Sequence, residues 1–230
     1  MTAWHSFIGH PLFSVGLTLL AFQLAVALYR RSGWLLLQPV LVGMLLIVAV
    51  LALCGIDYRD YRRDAEPIAW LLGPATVALA VPLRENLARI RQLFWPIVIT
   101  LAVAGVLTVL ITLLVCWLLG ASDALSMSLA PKSVTMPIAM LVADQLGGVA
   151  ALAAVMVMLT GVIGTVLGPP LLRLARVDHP AARGFSYGIN AHAIGTAHAL
   201  HESRECGAFA ALAMSLLGVA TALLMPWLLS

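Results

Sequence analysis

Residues 94–119 read FWPIVITLAVAGVLTVLITLLVCWLL, without one ionisable carboxylate, ammonium or guanidinium. A bilayer core of about 30 Å needs about 20 consecutive apolar residues in a helix, so this stretch predicts a transmembrane helix. Working outward, three further runs meet the same standard: about Gly9–Tyr29, which ends at Arg30-Arg31, about Gly33–Cys54, which carries Pro39 near its start, and about Cys206–Leu229. A fifth, Val149–Ala175, is apolar but dented by Gly161, Gly164, Gly168 and Pro169-Pro170. Gly164 and Gly168 make a small-xxx-small face suited to close helix packing. The whole chain agrees. Of 230 residues 62% are hydrophobic and 10% charged, too few charges to cover a water-facing surface. The expected fold is an all-α membrane protein, a polytopic bundle of about 8 membrane segments in one domain spanning 1–230.

The formal net charge of +3 comes from arginines scattered in short loops, the usual pattern of a membrane protein, and does not suggest nucleic acid. Cys54, Cys116 and Cys206 form no CxxC pair and read as small buried hydrophobes. The N-terminus lacks a basic region and a cleavage site, so the first span is expected to stay as an anchor.

Three segments behave differently. Residues 66–91 contain Gly73, Pro74, Thr76 and Pro82; residues 121–148 contain Pro131, Lys132, Ser133, Thr135 and Pro137; residues 182–202 contain Gly188, Asn190, His192, Gly195, Thr196 and His198. Proline removes a backbone donor and clashes with the preceding turn. Irregular backbone at membrane depth survives only if buried in protein or lining a wet cavity. We therefore expect three broken or re-entrant helices, with Pro74, Pro82, Pro131 and Pro137 as helix breaks. Alternation of plain and broken segments is the pattern of a transporter and suggests a two-fold structural repeat with halves 1–119 and 120–230. If every segment crosses once, the arginines divide equally between the two sides; if 121–148 enters and returns, the division becomes eight against four, which favours re-entry.

An ionisable side chain at membrane depth costs about 2.5–3.5 kcal/mol and is normally kept for a partner or ligand, which singles out Lys132. Pro131 and Pro137 both suit the first turn of a helix. A half-helix starting there would present free N–H groups and a partial positive charge. With the Ser133 and Thr135 hydroxyls, Lys132 would make a site for a small carboxylate. The alternative is that Lys132 snorkels to the interface or pairs with Asp144. In 182–202, Gly195 permits close backbone approach or a break, Asn190, His192 and Thr196 offer hydrogen bonds, and His192 could carry a proton; the alternative is helix glue. Thr76 would supply one hydroxyl from the first broken segment. His192, His198, His201 and Glu202 lack an HExxH spacing, and Glu202 reads as part of a solvated loop. Neither metal, cofactor nor enzymatic site is expected.

At these segments the sequence resembles the LrgB/CidB family. Lys132-Ser133-Val134-Thr135-Met136-Pro137-Ile138-Ala139-Met140 looks like its KSVTTPIAM signature, Gly73–Leu83 matches its GPATVALAVPL segment, and His192–Ala197, Gly161–Pro169 and Gly207–Phe209 followed by Leu212–Met214 also fit. The resemblance runs from about residue 33 to the end. It implies a multi-pass protein of the bacterial inner (plasma) membrane, with a small LrgA/CidA-like membrane protein as partner; membrane lipid and a homo-oligomer are the other partners expected. It also implies one of two roles: holin- or antiholin-like control of murein hydrolase activity and lysis, or transport of small monocarboxylates such as pyruvate, glycolate or glycerate. Met136, Leu141, Ala191 and His198 stand where the family pattern has a threonine, a glutamate, a serine and a basic residue.

Overall fold

The computed structural model describes residues 10–34, 37–71, 74, 77–78 and 80–229. Among them the chain is all-helical, with twelve helices. They fall into two compact units, Met1–Ala78 and Leu79–Ser230.

The first unit holds α1 (Pro11–Ser32), α2 (Pro39–Cys54), α3 (Tyr58–Asp64) and α4 (Glu66–Trp70). His10 caps α1 by accepting from the Leu12 N–H, and Gly33 and Gly55 end α1 and α2 with φ of 62° and 66°, a conformation that glycine adopts without a Cβ penalty. Gly43 of α2 faces the Ala21–Phe22 backbone of α1. The Thr18 and Tyr61 hydroxyls lie 2.7 Å apart and tie α3 to α1. The second span is shorter than the sequence suggested. It begins only at Pro39, whose fixed φ and missing N–H suit the first turn, so its 16 residues reach about 24 Å.

The second unit contains α5 (Ala80–Glu85), α6 (Leu87–Gln92), α7 (Phe94–Leu118), α8 (Asp123–Leu129), α9 (Met136–Gln145), α10 (Ala150–Leu174), α11 (Pro180–Glu202) and α12 (Arg204–Leu229). α7, α10 and α12, with α1, are long and apolar enough to cross a membrane. On α7 only Ile97, Thr112 and Cys116 are buried, while Val103, Val106, Leu110 and Leu114 are exposed, as on a lipid-facing helix. α12 is the central post, buried from Cys206 to Gly218 on its inner face. α7 and α12 run in the same direction: Gly105 approaches Leu217, and Val109 and Leu113 pack against the cluster that contains Met225.

α11 is not one rod. His192 has φ 39° and ψ −125°, and there the chain doubles back. Arg183 meets Glu202 at 2.9 Å, and the Tyr187 and His198 rings stack edge to face at 5.1 Å. Of the two roles open to Gly195, a break and close backbone approach, it takes the second; the bend lies three residues earlier. Gly195 lets the two arms touch: a Cβ there would strike the Tyr187 carbonyl and the Ala191 side chain.

The segment before α10 is also interrupted. α8 ends at Leu129 and α9 starts at Met136. Between them Lys132 N–H donates to Leu129 O and Val134 N–H to Pro131 O. Pro137 occupies the first turn of α9. Pro131, expected to open a helix, closes α8 instead, because proline disfavours helical continuation across it. α9 returns far enough for the Val149 N–H to donate to Ser128 Oγ at 2.7 Å. The folded-back pairs therefore have their bases at opposite ends of α10, whose 25 residues span about 37 Å.

Of the first broken segment, Thr76 and Gly73 lie outside the described residues. Pro74 is exposed, and Pro82 is the third residue of the short helix α5.

Candidate functional site

Lys132, Ser133 and Thr135 share the irregular turn between α8 and α9. Ser133 and Val134 are buried and Lys132 is partly so. Thr135 is the N-terminal boundary residue of α9 with extended backbone, and its side chain makes no capping bond, so the helix end is left open beside its hydroxyl. The Lys132 ammonium has no carboxylate partner among the described residues: the ion pairs involve other groups. Asp144, offered by the sequence as its counter-charge, is exposed on α9. Cys116 of α7 is within electrostatic reach of Lys132. A lysine half withdrawn from water, two hydroxyls and an uncapped helix start form a cationic, donor-rich turn. That chemistry suits a small carboxylate.

The second turn, at His192, is built differently. His192 Nε2 lies 2.8 Å from Val157 O. A carbonyl only accepts, so the ring donates from Nε2. Thr196 Oγ1 donates to His192 O at 2.8 Å and contacts Met214 Sδ. Both residues are buried and hydrogen-bonded within the protein, so they hold the bend in place. Asn190 is exposed; its Nδ2 donates to Ser186 O at 3.0 Å. The arm enters this position along a glycine track. A Cβ on Gly161 would meet His192, on Gly164 Ala191, and on Gly168 Tyr187. Backbone approach that close needs residues without side chains.

The two turns are connected through the core. Val134, from the first, belongs to the same apolar cluster as Val157, Ile189, Ala213 and Leu217, and Val157 O is the acceptor that holds His192. Sequence reasoning named the residues of both turns. It missed Val157, because a backbone carbonyl acceptor leaves no residue-type signal.

It also missed the polar base of the second pair. Arg183 Nε and Nη2 donate to the two Glu202 oxygens at 2.9 Å each, and Tyr187 Oη donates to Glu202 Oε1 at 2.8 Å. Glu202 lies outside the long apolar spans, and its carboxyl is held down at about 2, chiefly by the Arg183 hydrogen bonds, with burial opposing. The spacing of 19 residues hid this pair.

The LrgB-like family model matches residues 18–230. The Bacillus subtilis (strain 168) protein YwbG, itself uncharacterized, is 35% identical over 224 residues, covering 97% of this chain and 99% of that protein. A Bacillus cereus (strain B4264) protein named antiholin-like protein LrgB is 29% identical over 217 residues, covering 94% of each. No solved structure matches. A match that takes in both turns, the glycine track and nearly all of the chain makes this membrane protein a member of the LrgB-like family.

Proposed function

We propose that this chain is a secondary transporter of small monocarboxylates, of the size of pyruvate, glycolate or glycerate, in the bacterial inner membrane. The observation that carries the reading is the Lys132 ammonium, without a carboxylate partner among the described residues, in a helix break that shares a core with a second helix break. In this reading the α8–α9 and α11 pairs re-enter the membrane from opposite faces. α7 with α8–α9, and α10 with the two arms of α11, then form an inverted repeat. Interrupted helices in corresponding positions of inverted repeats mark midplane sites in transporters. Lys132 neutralises the carboxylate, Ser133 and Thr135 hydrogen-bond it, and the open start of α9 adds its dipole. His192, Gly195 and Thr196 keep the opposite tip in place, and Asn190 presents an amide beside it. Alternating access follows from rocking the tips against the α7, α10 and α12 scaffold. A small LrgA-like membrane protein is the natural partner, and no enzymatic step is required.

The name of the Bacillus cereus relative favours a second reading, antiholin-like control of murein hydrolase activity without metabolite flux. The two readings separate in proteoliposomes. The transporter gives saturable uptake of labelled pyruvate, glycolate or lactate that disappears in Lys132→Ala. An antiholin-like regulator gives a lysis phenotype with no saturable uptake, with or without an LrgA-like protein.

A further inference from the structure

In the unit Leu79–Ser230 the charges are sorted by end. Arg89 lies 3.1 Å from the His179 ring and 3.6 Å from Glu205, and Arg204 lies 3.6 Å from Glu85. These contacts bring the α5–α6 region, the α10–α11 connection and the α11–α12 connection to one end. Arg84, Arg89, Arg91, Arg173, Arg176, Arg183 and Arg204 all belong to these segments. The opposite end is formed by residues 119–122 and 146–149, which contain no arginine or lysine. Both fold-backs collect them: the α8–α9 pair lets α10 return Arg173, Arg176 and Arg183 to this end, and the bend of α11 adds Arg204. An asymmetry of seven to none assigns the arginine end to the cytoplasm.

A cavity of about 400 Å³ opens between α7 and the first arm of α11, from His179 at the arginine end to Asn190 two residues short of the tip. Its apolar wall includes Ile97, Phe185 and Phe209; its polar residues are His179 at the mouth and Thr100, Ser186 and Asn190 further in. Several helix hydroxyls turn back on their own backbone: Thr18, Thr108, Thr112, Ser128, Thr165 and Thr196 each donate to a carbonyl three or four residues earlier. The Thr100 and Ser186 hydroxyls make no hydrogen bond among the described residues, and neither does Asn190 Oδ1. Three unmet polar groups facing one cavity are costly against hydrocarbon and cheap against water or a polar ligand. The volume is that of a small-molecule site.

We propose that this cavity is a water-filled chamber open to the cytoplasm, in which Thr100, Ser186 and Asn190 receive a small hydrogen-bonding anion gathered by the arginine end. Only the identity of the occupant as a transported anion rests on the transporter reading.

The test is thiol labelling of Ser186→Cys, with Thr100→Cys as an independent position on the facing helix. The chain with its three native cysteines is the control. Inside-out and right-side-out vesicles are treated with a membrane-impermeant sulfonated methanethiosulfonate and with its trimethylammonium counterpart, each rate normalised to a free thiol in solution. The expected result is labelling from the cytoplasmic side alone, with the anionic reagent the faster. Labelling from the outer side, or from neither side while detergent-denatured protein reacts, overturns the chamber; a faster cationic reagent overturns the anion assignment. Saturable uptake with unlabelled cysteines defeats this proposal and leaves the transporter standing. A labelled chamber without uptake does the reverse.

Discussion

Arg183 and Glu202 are 19 residues apart in the chain and joined by two hydrogen bonds of 2.9 Å. Along a straight helix they would be about 28 Å apart, so this contact closes the base of a hairpin whose tip is His192. Both side chains are less than a third exposed, and Tyr187 adds a third bond to the same carboxylate. Glu202→Gln keeps the shape and removes the charge. It is expected to lower the unfolding free energy by about 1–2 kcal/mol, seen as a lower midpoint in thermal unfolding in detergent. The pH dependence has a definite sign. The folded carboxyl is held at about 2, below an unfolded value of about 4.3. Its contribution is therefore fully present above about pH 4.3 and is lost as pH falls towards 2. Glu202→Gln should flatten the native chain's loss of stability in that window; an unchanged acid limb would rule out the pair as its source.

His192 combines an unfavourable backbone with a favourable side-chain bond. Its φ of 39° and ψ of −125° lie near the first central position of a type II′ turn, where glycine is usual. The ring compensates by donating to Val157 O. His192→Gly removes the ring bond and the backbone strain together, whereas His192→Ala removes the bond and keeps the strain. The glycine variant should thus be the more stable of the two by about 1 kcal/mol. Monodisperse yield on size exclusion and thermal midpoints measure the order, and a more stable alanine variant would exclude a positive φ at this position.

The glycine track of α10 predicts a sharp contrast between two changes of equal size. A Cβ on Gly164 would lie 2.8 Å from Ala191 Cβ and 3.2 Å from Asn190 O, neither of which can swing aside. Gly164→Ala should cost about 1–3 kcal/mol by overpacking and disturb the arm leading to His192. Gly16 in α1 has nothing within 4 Å of the same added atom, so Gly16→Ala should be neutral or stabilising by up to about 1 kcal/mol. Equal midpoints for the two variants would mean that the arm does not lie against α10.

How far the sequence carried these features depended on where their signals reside. α7, α10 and α12 were legible because length and apolarity are properties of the run itself; their ends fall within two residues of expectation. The first break was legible because Pro131 and Pro137 bracket it. The second was legible as a polar, glycine-bearing stretch, but its bend at His192 was not, since a histidine in a glycine conformation has no sequence signature. Glu202 read as part of a solvated loop because its partner is 19 residues away. The equal division of arginines among straight crossings had the same cause: one fold-back transfers every later arginine to the other side.

Lys132 gives the most direct connection between the geometry and the proposed transport. Its ammonium sits partly buried in the α8–α9 turn without a carboxylate partner among the described residues. A structural lysine that merely snorkels would tolerate replacement by methionine, which keeps the apolar stem. A substrate-binding lysine would not, since a charge-assisted hydrogen bond to a carboxylate contributes about 1.5–3 kcal/mol. Lys132→Met is therefore expected to raise KM for carboxylate uptake by roughly tenfold to a hundredfold or to abolish uptake, with expression and thermal midpoint near those of the native chain. Lys132→Arg should retain part of the activity, because it keeps the positive charge with a different donor shape. Asp144→Asn, altering an exposed residue of α9, should leave uptake unchanged. Native uptake kinetics in Lys132→Met would place the carboxylate elsewhere; equal losses in Lys132→Met and Asp144→Asn would mean that the two act as an ion pair.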